Sequence, residues 1–400
     1  MTISDRQIAV PPMPDTVLAV GSSAQVGTIV AGLGASKAFL VADRGVAAAG
    51  LVEPIEHHLR AAGIDVRVFD EVDPNPTDRN VDAGLTALRQ FGSCVVVLLG
   101  GGSAMDCGKY LAMAAPNEGT GVEFAFAPSL GADDTIDFST LLPARLAEIP
   151  PYPTVAIPTT AGTASETNGG GLITDTSTDR KLTFNHDGVK PRSVLLDPAL
   201  TVGLPPVPTA TCGMDVLTHA IEALTSTNNN PLSDGLALQA IRMVSEWLPR
   251  VVDAPDDLEG RSQMLFAAHL AGRAFSSGPL LGLVHAMGHP ISAVLHQPHG
   301  QTLATMLPHV MQFNRAHVAE RYGWVSRAMG GSANPDAAID AVRSLSSSVG
   351  TNRTLSDLGA TPTDLPVLVE QALSDLIILT TPRYPSRAEV TEIYKVALAE

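Results

Sequence analysis

The sequence predicts an α/β N-terminal domain built on a parallel sheet, followed by an all-α C-terminal domain. Three observations carry this expectation. The chain has 400 residues, more than one hydrophobic core usually organises, so two domains are favoured. Its first half alternates short aliphatic runs with helix-like stretches, the pattern of parallel strands joined by crossover helices. Beyond Thr201 the apolar residues fall at helical spacing and β-branched runs become scarce.

In chain order, the strand candidates are residues 38–42 (AFLVA), 66–69 (VRVF), 95–99 (VVVLL), 154–157 (TVAI) and 193–196 (SVLL). The last ends in Asp197-Pro198, a turn signal. Residues 231–251 and 259–274 read as helices of the second half. The boundary is expected within residues 200–208, where LPPVP at 204–208 would form a stiff linker that disfavours helix and strand. This gives domains of residues 1–203 and 204–400. Residues 117–153 mix Gly, Pro and paired acids with weak periodicity and read as a long surface excursion, with a short helix expected near 142–148.

Composition narrows the function classes. Aromatic residues are only 4%, so aliphatic side chains must carry the core. With 41 acidic against 25 basic residues the formal charge is -16, which repels nucleic acid and anionic membranes and otherwise serves solubility. Cys94, Cys107 and Cys212 lack CxxC spacing and read as reduced thiols. The first twenty residues lack a basic segment followed by an apolar one, and no apolar run approaches a membrane span, so a cytoplasmic protein is expected.

Residues 95–106, VVVLLGGGSAMD, run from an aliphatic strand through Gly100, Gly101, Gly102 and Ser103 into a helix expected over 104–115. Such a turn suits a dinucleotide pyrophosphate: glycines admit the phosphates close to the backbone, and N–H groups at the helix start donate to them. A glycine turn that binds nothing is the alternative. Asp43 closes the strand at 38–42. It fits an acid that binds the adenosine ribose hydroxyls and repels the extra phosphate of NADP, which favours NAD, and equally a helix N-cap before residues 45–49. The hydroxyl-rich PTTAGTASE at 158–166 suits a polar cleft or an ordinary hydrogen-bonded turn.

Asp215 and His219 stand at i and i+4 within GMDVLTHAIEA, so one helical face offers an oxygen and a nitrogen donor among apolar neighbours. A buried Asp and His need a partner, either a cation or each other. Histidines then concentrate in HAMGHP (His285, His289) and HQPHG (His296, His299). One carboxylate with three imidazoles can hold a divalent metal and leave room for a substrate oxygen. Spacing alone leaves open which of the four later histidines are ligands.

DPNPT at 73–77, GGGSAMDCGK at 100–109, PTTAGTASE, Asp197-Pro198, GMDVLTHAIEA, and HAMGHP with PHG resemble, in that order, the iron-containing, group III alcohol dehydrogenase family. The resemblance covers nearly the whole chain. It implies a dinucleotide-binding α/β domain and a helical metal-binding domain, with Asp215, His219, His285 and His299 as metal ligands, His289 beside substrate and nicotinamide, and no role for His296. It also implies a cofactor set of Asp43, Asn75, Gly100, Gly101, Gly102, Ser103, Asp106, Thr159, Thr160, Thr163 and Lys181. Departures are Gly108, where the family often has Ala, Ser277, where it often has Asn, and the long excursion at 117–153.

The expected activity is hydride transfer between a small alcohol or hydroxy acid and its carbonyl partner, in a homodimer or higher homo-oligomer. The cofactors would be NAD, with NADP the alternative, and Fe²⁺, with Zn²⁺ the alternative. A maleylacetate-reductase-like reductase manages without this complete ligand set. A dehydroquinate-synthase-like lyase would want more basic residues near the histidines than this sequence holds.

Overall fold

The structure is a computed structural model that describes Ile8 and residues 12–399. It divides into two compact units, one comprising Met13–Ala127 with Ser139–Gly203, the other Pro128–Phe138 with the chain from Leu204 onward. Residues 128–138 of the excursion thus join the helical unit, which a sequential split at 203/204 does not anticipate.

The first unit is built on a six-stranded sheet of order β1-β8-β5-β4-β2-β3, every neighbouring pair parallel. Its strands are β1 (Asp15–Leu18), β2 (Lys37–Asp43), β3 (Asp65–Val72), β4 (Val95–Gly100), β5 (Thr154–Pro158) and β8 (Ser193–Leu196). Between them run α1 (Val26–Gly32), α2 (Arg44–Ala48), α3 (Val52–Ala61), α4 (Asp78–Phe91) and α5 (Gly102–Ala114). β4 is buried at every position, which is why it reads as an unbroken aliphatic run: helices cover both faces of a parallel sheet. Leu40, Val97, Leu99, Val155, Ile157 and Leu195 join one fully buried cluster with Ile55 and Leu59 of α3. Each such side chain contributes about 1.5–3 kcal/mol on leaving water.

Gly108 has a steric reason. A Cβ there would stand 2.3 Å from Leu98 Cδ2, so glycine lets α5 lie close against β4.

The chain passes from β2 outward to β3 and returns on the other side of β2 to β4. At such a reversal the loops leave the carboxyl ends of neighbouring strands in opposite directions and open a crevice that ligands use. Asp43 ends β2 and Gly100 ends β4 at this point.

Two elements escape the sequence pattern. β1 is a four-residue edge strand, and an antiparallel hairpin pairs β6 (Gly170–Asp175) with β7 (Arg180–Asn185). The helix expected near 142–148 is absent; the segment is a run of bends, because Pro143 disfavours a helical Leu142 and leaves too few residues before Pro150 to nucleate a helix. Asn117 holds its return path by donating to Ile149 O at 2.9 Å and accepting from Ile149 N at 2.8 Å.

The second unit is helical: α6 (Pro206–Thr225), α7 (Pro231–Asp253), α8 (Leu258–Ser276), α9 (Leu283–Val294), α10 (His299–Asn314), α11 (Ala319–Ala328), α12 (Pro335–Ser348), α13 (Leu365–Leu373) and α14 (Arg387–Ala399). The proline run at 204–208 is not the linker that its composition suggests. Pro206 opens α6 and Pro208 lies in its first turn, where helical N–H groups have no partner to lose. From Gly213 to Thr225 α6 is buried without interruption and packs against α7, α8 and α10, the position of a helix apolar on all sides. No helix among the described residues is long and apolar enough to cross a membrane.

Cys94, Cys107 and Cys212 form no disulfide among the described residues, and the first two are buried. Burial pushes Cys94 up to about 12 and Cys107 above its ordinary range as well. Only the thiolate reacts, so iodoacetamide at pH 8 is expected to label half-buried Cys212 while Cys94 and Cys107 stay unmodified until denaturant is added. Peptide mass mapping of the native protein reads this directly, and rapid native labelling of Cys94 would contradict the packing described.

Candidate metal centre and dinucleotide loop

In the α/β unit the glycine turn is assembled by its neighbours. Gly100 has φ +144°, and a Cβ there would sit 2.9 Å from Ala104 Cβ and 3.0 Å from Asp43 Oδ2. Only glycine joins strand to helix so tightly. Gly101 caps α5, leaving the first N–H groups of a thirteen-residue helix without helical partners. Register places Gly100 opposite Pro158, and Thr159 N donates to Gly100 O at 3.0 Å. The PTTAGTASE turn therefore lies against the glycines: a Cβ on Gly101 would meet Thr160 Oγ1 at 3.2 Å, and one on Gly102 would meet Thr163 Cγ2 at 2.9 Å.

Asn75, in the left-handed region at φ +56°, donates its backbone N–H to Ser103 Oγ at 3.2 Å and accepts from Lys181 Nζ at 2.9 Å. Asp43 Oδ1 caps α2 by accepting from Val46 N at 2.9 Å. The N-cap role is thus filled, and Oδ2 remains beside Gly100.

Asp106 acts as a tie within the α/β unit. Its Oδ1 accepts from Ser165 Oγ at 2.6 Å and its Oδ2 from Leu172 N at 2.9 Å, which fixes residues 165–172 against α5. Fully buried Lys109 completes this anchor by donating to Ser165 O at 3.0 Å and to Gly170 O, with Asp106 Oδ1 at 3.6 Å. Burial lowers the Lys109 pKa, against the opposing charges of Asp106 and Glu166. Lys109 was not among the functional residues expected from sequence, although a lysine in an apolar helix is a readable signal.

In the helical unit, α6, α9 and α10 bring the ligand-type residues together. Asp215 Oδ1 lies 3.2 Å from His219 Nε2, 3.8 Å from His285 Nε2 and 4.0 Å from His299 Nε2. Donor atoms of Asp215, His285 and His299 all lie within 4.8 Å of one another. The His219 ring stacks on His285 at 4.9 Å and 16°. An internal Asp–His bond accounts for the first distance alone. It leaves His285 Nε2 buried with no hydrogen-bond partner, while Nδ1 of the same ring is bonded to Glu222 Oε2. A buried imidazole nitrogen facing a carboxylate among two more imidazoles fits a divalent cation, and the N/O donor set suits Fe²⁺ or Zn²⁺. The side chains of Asp215, His219 and His285 are at most 4% exposed and that of His299 is 21% exposed, so the cluster opens on the His299 side.

His289 is one helical turn beyond His285 and stacks on His299 at 5.4 Å. Its Nδ1 bonds Asp375 Oδ2 at 2.6 Å, and Asp375 Oδ1 accepts from Ile377 N at 3.0 Å. Asp375 has no motif to reveal it, being simply the acid that precedes an apolar run. His296 is exposed at φ +53° and belongs to none of these contacts.

Residues 14–198 match the iron-containing alcohol dehydrogenase family model, and residues 209–398 match that of the Fe-containing alcohol dehydrogenase family, C-terminal. The chain is 37% identical to a 1,3-propanediol dehydrogenase of Klebsiella pneumoniae over 393 residues, 96% of this chain and 95% of that one. It is 32% identical to an NAD-dependent methanol dehydrogenase of Bacillus methanolicus over 392 residues, 96% and 98% of the two chains. A crystal structure of a 1,3-propanediol oxidoreductase superposes with a TM-score of 0.87 at 36% identity, covering 98% of this chain and 100% of that one. The chain therefore belongs to the iron-containing alcohol dehydrogenase family and is a hydride-transferring oxidoreductase.

Proposed function

We propose that the chain interconverts a small alcohol or diol and its carbonyl partner with NAD, using one divalent cation held by Asp215, His219, His285 and His299. The observation that carries this reading is the approach of three imidazole Nε2 atoms to within 4.0 Å of one buried carboxylate oxygen. Relatives named for propanediol and methanol support a small hydroxyl substrate. When bound, the cation, Fe²⁺ before Zn²⁺, supplies Lewis acidity toward a substrate oxygen, and NAD supplies the hydride-accepting ring.

The chain's own groups do the rest. With Nδ1–H donated to Asp375, His289 keeps Nε2 as an acceptor, suited to taking the proton a hydroxyl gives up. The N–H groups at the start of α5 and Ser103 would hold the pyrophosphate of bound NAD. Asn75, Thr159, Thr160, Thr163 and Lys181 lie around the same turn, and Asp106 ties residues 165–172 to α5. We assign the protein to the cytoplasm as a homo-oligomer; its free cysteines agree with a reducing compartment, and light scattering of the purified chain tests the assembly.

The test of the whole reading pairs elemental analysis of purified protein with NAD and NADP reduction across alcohols, diols and hydroxy acids. About one divalent metal per chain and turnover with NAD are expected. Full turnover in metal-free protein would overturn it. Asp43→Ser isolates the cofactor preference, since serine preserves the α2 cap while removing the charge that opposes a ribose phosphate. The variant is expected to raise kcat/KM for NADP relative to NAD by at least roughly 10-fold, because opposing like charges costs several kcal/mol. An unchanged ratio would remove Asp43 from cofactor selection.

A further inference from the structure

We propose that Glu222 is a positioning residue for the metal centre, which sets the tautomer of His285 and aims its Nε2 at Asp215. The proposal rests on the metal reading above and deepens it. Glu222 lies on α6 three residues beyond His219 and seven beyond Asp215, so one buried helical face carries all three side chains.

Both carboxylate oxygens are used. Oε1 accepts from Val284 N at 2.6 Å, in the first turn of α9, where N–H groups have no helical partner. Oε2 is bonded to His285 Nδ1 at 2.5 Å. A carboxylate only accepts, so the ring proton sits on Nδ1 and Nε2 presents its lone pair. That Nε2 is the buried atom with no hydrogen-bond partner, 3.8 Å from Asp215 Oδ1. Glu222 therefore grips backbone and ring of α9 at once, and fixes both the pitch of the helix and the face of the imidazole.

Glu222 is 5% exposed and borders a cavity of about 10 Å³ lined also by Thr225, Asn314, Tyr322 and Thr380, with room for about one water. Burial first, and the Glu222 charge after it, push the Tyr322 phenol above its ordinary range.

Glu222→Gln separates positioning from simple capping. The amide oxygen can still accept from Val284 N–H, but the amide nitrogen then donates to His285 Nδ1, which moves the ring proton to Nε2 and blocks the lone pair. Affinity for Fe²⁺ and Zn²⁺, measured by chelator competition, is expected to fall roughly 10- to 100-fold, while the thermal midpoint of the metal-free protein stays near that of the unmodified chain. Unchanged metal affinity in Glu222→Gln would overturn the proposal. If the variant does not fold, nitrogen-15 histidine spectra of the unmodified metal-free protein decide: an Nδ1–H tautomer at His285 supports the proposal and an Nε2–H tautomer overturns it. Should the unmodified chain bind neither metal, the metal reading itself fails, which is a different outcome from equal binding by both chains.

Discussion

Asp215→Asn is expected to leave the purified protein well below one divalent metal per chain and to lower kcat/KM with NAD by roughly 10³-fold, since Lewis-acid assistance is worth several kcal/mol and each 1.36 kcal/mol is tenfold. Asparagine keeps the shape of the side chain and removes its charge. The three histidines would then surround a neutral amide, and the cluster loses its one anionic donor. Asp215 is 2% exposed on a stretch of α6 buried at every position, so circular dichroism and the thermal midpoint should accompany the metal analysis, to separate loss of the site from loss of the fold. His296→Ala is the internal control. His296 is exposed and outside every contact of the cluster, and its replacement should change neither metal content nor turnover. Survival of both metal and activity in Asp215→Asn would remove the centre from the chemistry.

Lys109→Met is expected to cost roughly 3–5 kcal/mol of stability, the usual result of removing one partner from a buried charged network. Methionine fills the volume but offers no donor. It strands Ser165 O and Gly170 O and leaves Asp106 without its cation, so residues 165–172 lose their anchor on α5. A lower urea midpoint and weaker NAD binding should appear together. An unfolding free energy within about 1 kcal/mol of the unmodified chain would mean that the network is not the anchor described.

The same group has a defined pH sign. Because burial lowers the Lys109 pKa below its ordinary 10.5, the native chain releases this proton before the unfolded chain does. The unfolded state then binds more protons, so in the window between the lowered value and 10.5 stability through this group rises with pH. The cost of burying the charge is present in full at neutral pH.

Much of this was legible in the sequence because the signals are local. Unbroken aliphatic runs reported strands buried on both faces, and the glycines between β4 and α5 reported a turn that no side chain could enter. The i, i+4 pair Asp215 and His219 reported a shared helical face. The prolines at 206 and 208 misled, because composition does not distinguish a linker from the first turn of a helix, where a missing N–H costs nothing. The hairpin of β6 and β7 escaped because its first strand begins with two glycines and is held by residues far away in sequence, Asp106 and Lys109.

By itself, then, the sequence determined the fold class, the family and the residue types of the centre. Which histidines converge was a tertiary decision: His285 and His299 reach Asp215 only because α9 and α10 pack where they do, while His296 turns outward on a left-handed residue between them. The supporting carboxylates were decided there too. Glu222 and Asp375 have ordinary sequence neighbourhoods, and they matter because the fold brings each within hydrogen-bonding distance of an imidazole nitrogen 63 and 86 residues away. Local preference fixes what a residue can do, and packing over such separations fixes what it does.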